Sequence, residues 1–228
     1  MIPTSYKKYP ECMFSMIAAY LPADEGDDLR RVAGNVVFRH TNENGSTFKN
    51  GALHSFEGKP SVIGPYQKMW HKDGEVHRDG DLPAVINDRY HIWYKNGKPH
   101  REGGLPAVIG KDLFEWWVNG KRHREDGLPA VQSGQKAEWF VDGKLQRGGD
   151  KPAVIDGSYQ AWYWNDVLHR GGDKPAVVYE DKREWWIHGN RHRSGDLPAT
   201  IDSYHEAWYK NGELFRQGDK PAIIYKNC

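Results

Sequence analysis

Histidine side chains recur at a fixed interval through much of this 228-residue chain, and they are the first candidates for chemistry. They occupy one position of the interval, at His77, His100, His123, His169 and His192. Imidazole is a common zinc ligand, but all ligands of one zinc ion must lie about 2 Å from it. Equivalent residues of successive β-hairpins are roughly 10 Å apart. The row therefore predicts structural histidines stacked on cross-strand tryptophans, and no metal site.

A row of arginines follows the histidines, and most of its members precede an aspartate by three residues. The pairs are Arg78 and Asp81, Arg147 and Asp150, Arg170 and Asp173, Arg193 and Asp196, and Arg216 and Asp219. A guanidinium and a carboxylate at this spacing favour an ion pair that closes one loop. An anion-binding stripe is the alternative.

Motifs typical of an active site are missing from the sequence. It has no glycine-rich phosphate loop, no nucleophile elbow and no zinc-protease helix motif. Its carboxylates recur from copy to copy, whereas an active site is usually a single constellation. We therefore predict a protein that is not an enzyme and that needs no cofactor.

The elements that carry these residues belong to a 23-residue repeat. Tryptophan stands at positions 70, 93, 116, 139, 162, 185 and 208, and proline at 83, 106, 129, 152, 175, 198 and 221. A degenerate copy over residues 46–64 precedes these seven, with Thr47 at the tryptophan position. A strict period without insertions is typical of repeat proteins, in which each unit buries its apolar surface against its neighbours.

Each copy contains a strong signal for a tight β-hairpin. Asn-Gly or Asp-Gly stands between short aromatic or β-branched runs at Asn96-Gly97, Asn119-Gly120, Asp142-Gly143 and Asn211-Gly212. Weaker dipeptides stand at the same place at Asn165-Asp166 and His188-Gly189. A two-residue type I′ turn requires positive φ at both central residues, which these residue types tolerate. The spacing therefore predicts one two-residue hairpin per copy.

Counting outwards from these turns predicts the cross-strand partners. Trp117 faces Arg122 and Trp186 faces Arg191, which suits cation–π contacts. Further out, the same count pairs glutamates with arginines: Glu115 with Arg124, Glu138 with Arg147 and Glu184 with Arg193. The Pro-Ala-Val-Ile segment of each copy is β-prone. The pattern leaves open whether that segment joins the same sheet or covers one of its faces.

The two ends of the chain differ from the repeats. Residues 1–45 predict a short helical cap, about Pro10 to Leu21, and a degenerate lead-in; residues 46–228 predict eight repeats. The runs Ile17–Pro22 and Asp28–Val32 resemble an F-box, a module that recruits a ubiquitin-ligase adaptor. Cys12 and Cys228 imply no disulfide framework, and no signal peptide is evident, so an intracellular location is expected.

The repeats resemble the MORN class over about residues 46–228. The copies read Trp-aromatic-x-Asn-Gly-x-x-His-Arg…Pro-Ala, whereas the standard motif has a Tyr-x-Gly start and further glycines. Similar variants occur in proteins encoded by large DNA viruses and some bacteria. The resemblance implies an all-β, elongated, open antiparallel sheet of stacked hairpins. It also implies scaffolding, dimerisation and, in some members, association with membrane phospholipid.

The expected function is a scaffold for protein–protein interaction that forms a homodimer. The candidate interaction residues are aromatic: Trp117, Trp186, Tyr209, Phe215 and Tyr225. Alternatives are peripheral phospholipid binding, an aromatic carbohydrate- or choline-binding repeat, and an F-box-type adaptor. Nucleic acid is not an expected partner, because 32 Lys and Arg residues nearly balance 31 Asp and Glu residues.

Overall fold

The computed structural model describes residues 39–226, and every regular element in that range is a β-strand. The predicted all-β class is confirmed. The predicted cap helix from Pro10 to Leu21 and the two F-box-like runs lie outside the described residues.

The chain divides into two compact units between Lys98 and Pro99. In the unit that ends at Lys98 the strands are β1 (Arg39–Thr41), β2 (Thr47–Lys49), β3 (Ala52–Leu53), β4 (Val62–Ile63), β5 (Gln67–Met69), β6 (His71–Lys72), β7 (Glu75–Val76), β8 (Val85–Asn87), β9 (Tyr90–Ile92), β10 (Tyr94–Lys95) and β11 (Lys98–Pro99), which ends one residue beyond it.

The unit that begins at Pro99 continues the same alternation of strands. Its strands are β12 (Val108–Gly110), β13 (Leu113–Glu115), β14 (Trp117–Val118), β15 (Lys121–Arg122), β16 (Val131–Ser133), β17 (Lys136–Glu138), β18 (Phe140–Val141), β19 (Lys144–Leu145), β20 (Val154–Asp156), β21 (Tyr159–Ala161), β22 (Tyr163–Trp164), β23 (Val167–Leu168), β24 (Val177–Tyr179), β25 (Lys182–Glu184), β26 (Trp186–Ile187), β27 (Asn190–Arg191), β28 (Thr200–Ile201), β29 (His205–Ala207), β30 (Tyr209–Lys210), β31 (Glu213–Leu214) and β32 (Ile223–Tyr225).

Two kinds of hairpin alternate along the chain. Fifteen strands form one open antiparallel sheet, in the order β32-β29-β28-β25-β24-β21-β20-β17-β16-β13-β12-β9-β8-β5-β4. The tight hairpins with Asn-Gly-type turns are not part of this long sheet. They form separate two-stranded sheets, such as β14-β15 and β18-β19, and β1-β2-β3 form a three-stranded sheet.

The Pro-Ala-Val segment joins the long sheet, which answers the question that the sequence left open. In one copy, Val131 of β16 pairs with Glu138 of β17, and Glu138 also pairs with Val154 of β20. The long sheet is thus built from the Val-containing strand and the strand that precedes each tryptophan. The turns between these strands share no dipeptide, so the sequence did not mark them as the main hairpins.

Each tryptophan connects the two kinds of hairpin. The Trp139 backbone N–H donates to the Ala153 carbonyl at 2.8 Å, and its own carbonyl accepts from the Gln146 N–H at 3.0 Å. Degenerate Thr47 makes the equivalent two bonds, to Ser61 and from His54, at 2.8 and 3.0 Å. The tryptophan position is therefore a corner of the backbone, and a threonine can occupy it.

The core is a set of repeated rows. The tryptophans of the 23-residue register are 5–8% exposed: Trp70, Trp93, Trp116, Trp139, Trp162, Trp185 and Trp208. The alanines after the prolines are fully buried at Ala84, Ala107, Ala130, Ala153, Ala176 and Ala199. In the degenerate copy Ser61 takes the alanine position, and its hydroxyl lies 2.7 Å from His71 Nδ1. Burial lowers the pKa of His71, so this ring is held neutral.

The predicted geometry of the tight hairpins is confirmed. Trp117 pairs with Arg122, Phe140 with Leu145, Tyr163 with Leu168, Trp186 with Arg191 and Tyr209 with Leu214. Both central residues have positive φ, for example 51° at Asp142 and 84° at Gly143. This is the conformation that a type I′ turn needs.

Candidate functional site

An arginine lies against the tryptophan of its own copy at Arg78, Arg124, Arg147, Arg170, Arg193 and Arg216, and we call this arrangement the arginine clasp. The Arg170 guanidinium carbon lies 3.7 Å from the Trp162 ring centroid. Its Nη1 donates to the Pro175 carbonyl at 3.0 Å. The indole N–H of Trp162 donates to the Asp150 carbonyl at 3.1 Å. The indole bond to Asp150 thus holds a loop of the preceding copy, and the Arg170 bond to Pro175 holds a loop of the same copy. Stacking joins the two side chains that make these bonds.

The clasp arginine also binds an aspartate, but not the one that the sequence suggested. Arg170 Nε donates to Asp150 Oδ1 at 2.7 Å, and Nη2 donates to Oδ2 at 3.2 Å. Arg193 binds Asp173 through the same two donors, and Arg216 Nε donates to Asp196 Oδ1 at 3.3 Å, so the partner lies 20 residues earlier. The predicted pairing with the aspartate three residues later is wrong. Asp150 has φ 51°, and from this backbone its carboxylate reaches the following copy.

Electrostatics agree with this geometry. Hydrogen bonds from Arg170 and then from Lys174 lower the pKa of Asp150 well below its usual range. Hydrogen bonding from Lys220 likewise lowers the pKa of Asp196, and bonding from Arg193 lowers that of Asp173. These carboxylates are therefore ionised at neutral pH and link successive copies.

Three clasps have glycine in place of the aspartate, at Gly58, Gly104 and Gly127. Their carbonyls still accept the tryptophan indole N–H at 2.8 Å. The corresponding arginines, Arg78, Arg124 and Arg147, still stack at 3.6–3.7 Å. Burial lowers the pKa of each of these arginines. The stacked arginine is thus kept where the carboxylate is missing.

The histidine row links each copy to the next tight turn. His123 Nδ1 accepts the backbone N–H of Asp142 at 3.1 Å, and His100 Nδ1 accepts that of Asn119 at 3.1 Å. Gln146 takes the histidine position in one copy, and its Oε1 accepts the Asn165 N–H at 3.3 Å. The row therefore supplies one acceptor per copy to a turn that would otherwise have an unbonded N–H. The partner of these rings is a turn N–H. The predicted stacking on the cross-strand tryptophan was not found among the ring contacts of the described residues.

Three glutamates beside the tryptophan row also have different partners from those predicted. Glu115 accepts from Arg122 at 2.8 Å and from the Trp117 indole at 2.8 Å. Glu184 accepts from Arg191 and from the Trp186 indole, both at 2.9 Å. The expected pairs Glu115–Arg124 and Glu184–Arg193 are wrong, because both arginines stack on tryptophans. Glu138 pairs with Lys136 instead of Arg147, which also stacks on a tryptophan.

The candidate interaction residues differ in exposure. Phe215 and Tyr225 are exposed, by 48% and 74%, whereas Trp117, Trp186 and Tyr209 are half-buried. The predicted cation–π contacts are confirmed, with Arg122 5.1 Å from the Trp117 ring and Arg191 5.0 Å from the Trp186 ring. Tyr209 and Phe215 line one surface cavity, so the structure brings these two together.

Other exposed aromatic residues were not predicted from the sequence. They are Tyr66, Phe114, Trp164, Tyr179 and Tyr204. Trp164 stands directly before the Asn165-Asp166 turn, on the outward side of its hairpin. Strand alternation would have marked it, because the neighbouring residue Tyr163 faces the other way and packs beside the core.

Among residues 39–226, no three His, Cys, Asp or Glu side chains come together as a metal-ion site. The same residues contain no helix long and apolar enough to cross a membrane. A scan against models of known protein families and a search of curated proteins both found no match. The chain is a β-hairpin repeat protein, and its function has to be argued from its own surface.

Proposed function

We propose that this protein is a non-enzymatic, MORN-like repeat scaffold that holds protein partners inside the cell and self-associates. The observation that carries the proposal is the apolar surface around β32. Leu214, Phe215, Ile224 and Tyr225 are 39–74% exposed there. Exposed apolar side chains on and near an edge strand are typical of an interaction surface.

Comparison with other copies of the same unit supports this reading. Leu145 and Leu168 occupy the position of Leu214, but they are half-buried and pack against the core cluster of Val154, Ala161 and Val177. Leu214 is 49% exposed. A surface that packs against a neighbouring copy elsewhere in the unit is suited to pack against a second molecule here.

The edge of β32 supports the same proposal. This strand pairs with β29 on one side, and no other strand among the described residues pairs with it. Its free backbone groups can extend the sheet by strand addition. The clasp recurs from copy to copy, which suits repeated contacts with partners more than a single catalytic centre.

The test is light scattering of the full chain up to high micromolar concentration. We expect a dimer, and we expect Phe215→Ser with Tyr225→Ser to shift it to monomer. Tyr66→Ser is the matched control, because Tyr66 is 75% exposed but lies in the other unit. A parent protein that stays monomeric contradicts self-association.

A second measurement addresses the protein partners. Affinity capture from the native host, with the parent and the double serine variant in parallel, identifies proteins that require this surface. Vesicle co-sedimentation with phosphatidylserine membranes provides the contrast. Binding to vesicles without any captured protein would contradict the scaffold and support the phospholipid alternative.

A further inference from the structure

The clasp at Gly127 has an arginine and a lysine at the same repeat positions as the two cations that bind a carboxylate elsewhere in the same unit. The reference is Asp150, whose carboxylate accepts from Arg170 Nε at 2.7 Å, from Arg170 Nη2 at 3.2 Å and from Lys174 Nζ at 2.7 Å. Three donors therefore surround one carboxylate group.

One copy earlier, the sequence keeps both cations and lacks the acid. Arg147 and Lys151 stand 23 residues before Arg170 and Lys174, and Gly127 stands 23 residues before Asp150. The Arg147 guanidinium stacks on Trp139 at 3.6 Å, and its Nη1 donates to the Pro152 carbonyl at 3.3 Å. Arg147 is thus held in the same place by the same two contacts as Arg170.

The backbone and the available space are also equivalent. Gly127 has φ +66° against 51° at Asp150, and its carbonyl accepts the Trp139 indole N–H at 2.8 Å. A Cβ added to Gly127 would meet no heavy atom within 4 Å. The space in which a side chain at Gly127 would begin is therefore open.

We propose that Arg147 and Lys151, beside Gly127, form a binding site for an exogenous oxyanion, either a carboxylate or a phosphate group. The free Nε–H and Nη2–H of Arg147 offer two parallel donors, which match two oxygens of either group. The ammonium group of Lys151 supplies the third donor, as Lys174 does for Asp150. Burial lowers the pKa of Arg147, as expected for a partly desolvated cation without a counterion.

The other two glycine clasps are poorer sites. Lys151 lies 24 residues after Gly127, whereas the residues 24 positions after Gly58 and Gly104 are Leu82 and Leu128. Arg124 Nη1 also contacts Gln132 Oε1 at 3.4 Å. The second cation therefore distinguishes the Gly127 clasp from its relatives.

The acidic residues near Gly127 set the strength of the site. Glu125 binds His123 Nε2 at 3.0 Å. Asp126 is exposed and precedes Gly127. Its equivalent, Gly149, would meet no heavy atom within 4 Å if it carried a Cβ, so this side chain extends into solvent. Asp126 lowers the affinity for an anion by repulsion, and Asp126→Asn is expected to raise it.

The test is an NMR titration of the whole ¹⁵N-labelled protein, which follows the Arg147 Nε–H and the Trp139 indole N–H. The probes are sodium acetate and sodium phosphate, at an ionic strength held constant with sodium chloride. We expect saturable shifts at Arg147 with at least one probe. The Arg170 Nε–H is the internal reference, because Asp150 already occupies it.

Two substitutions make the test specific. Gly127→Asp supplies the missing carboxylate within the chain and should weaken binding by roughly tenfold or more. Asp150→Gly should create a new saturable response at Arg170. If either protein fails to give a dispersed spectrum, Lys151→Met and Asp126→Asn replace it, with weaker and stronger binding expected.

The two probes separate the ligand sources. A response to acetate alone identifies a carboxylate site, and a tighter response to phosphate identifies a phosphate site. Shifts at Arg147 no larger than those at Arg170, or binding unchanged by the substitutions, would overturn the proposal. The scaffold function does not enter this test, so either proposal can fail without the other.

Discussion

Arg170 shows how one side chain can connect three parts of the molecule. It stacks on Trp162, donates to a carbonyl of its own loop and binds the carboxylate of the preceding copy. Only the contact with the carboxylate depends on a position that is aspartate in some copies and glycine in others. Copies with and without the aspartate can therefore be compared to measure how much that ion pair contributes to stability.

We expect Arg170→Ala to lower the free energy of unfolding by about 1–2 kcal/mol, through loss of the stacking and of the hydrogen bonds. Arg147→Ala is the matched control, because it loses the stacking and the carbonyl bond but no aspartate. Its loss should be smaller by a few tenths of a kcal/mol, because Asp150 is 42% exposed and solvent screens the pair. Urea unfolding of both variants measures the difference, and a larger loss for Arg147→Ala would contradict it.

The partner of this arginine could not be read from the sequence. An aspartate three residues away is the nearest candidate along the chain, and Asp173 stands at that distance from Arg170. In the structure Arg170 binds Asp150 instead, because a positive φ of 51° directs Asp150 towards the following copy. Backbone conformation in an irregular loop decides the pairing, and residue spacing does not reveal it.

At the scale of the element, each tight hairpin depends on an acceptor from the copy before it. His169 Nδ1 accepts the backbone N–H of His188 at 3.2 Å, and the two rings stack with centroids 4.5 Å apart. Burial, followed by the charge of His188, lowers the pKa of His169. The folded protein therefore favours the neutral ring, which alone can accept this bond.

A histidine with a lowered pKa contributes stability that is complete above its unfolded pKa, near 6.5, and is lost as the pH falls below that value. We expect His169→Gln to keep the fold at pH 7.5, because Gln146 performs this role in the preceding copy. Its free energy of unfolding should decrease less than that of the parent between pH 7.5 and 5. Urea unfolding at both pH values tests this; equal decreases would show that the ring is not the titrating group.

The sequence was informative about the tight hairpins and uninformative about the long sheet. Asn119-Gly120 and its relatives specify both the turn and the cross-strand partners, because few residues tolerate two successive positive φ values. The turns of the long sheet instead use varied devices, such as the Asn87 side chain that accepts from Arg89 and Tyr90, or a single glycine at Gly134. Without a shared signal, the pairing of β17 with β16 and β20 followed only from the structure.

At the scale of the whole molecule, the contacts between copies obey fixed offsets. Within the unit that begins at Pro99, the indole N–H of a buried tryptophan reaches a carbonyl 12 residues earlier, and a histidine acceptor reaches a turn 19 residues later. Where a clasp arginine has an aspartate partner, that aspartate lies 20 residues earlier. Each of these offsets is shorter than the 23-residue period, so the same contacts recur from copy to copy. Stability should therefore be a sum of equivalent copies and their interfaces.

We expect a protein that lacks residues 140–162 to fold, because this 23-residue deletion joins Trp139 to Tyr163 and restores every offset. Trp139 then donates its backbone N–H to Ala176 in place of Ala153. Deletion of residues 140–161 is the control. It removes one residue fewer than a whole period, so the strand at the junction is shifted by one residue and its side chains lie on the wrong face. Circular dichroism and urea unfolding should show a cooperative transition only for the first protein, and equal behaviour of both would contradict the modular interpretation.

The exchangeability of the copies has a consequence for how a gene of this kind can change. Recombination between similar coding segments removes or inserts whole periods, and each product already contains complementary surfaces at the new junction. No second substitution is needed to repair it. Copy number can therefore vary separately from the residues within a copy, and the extent of the protein becomes a heritable trait in its own right.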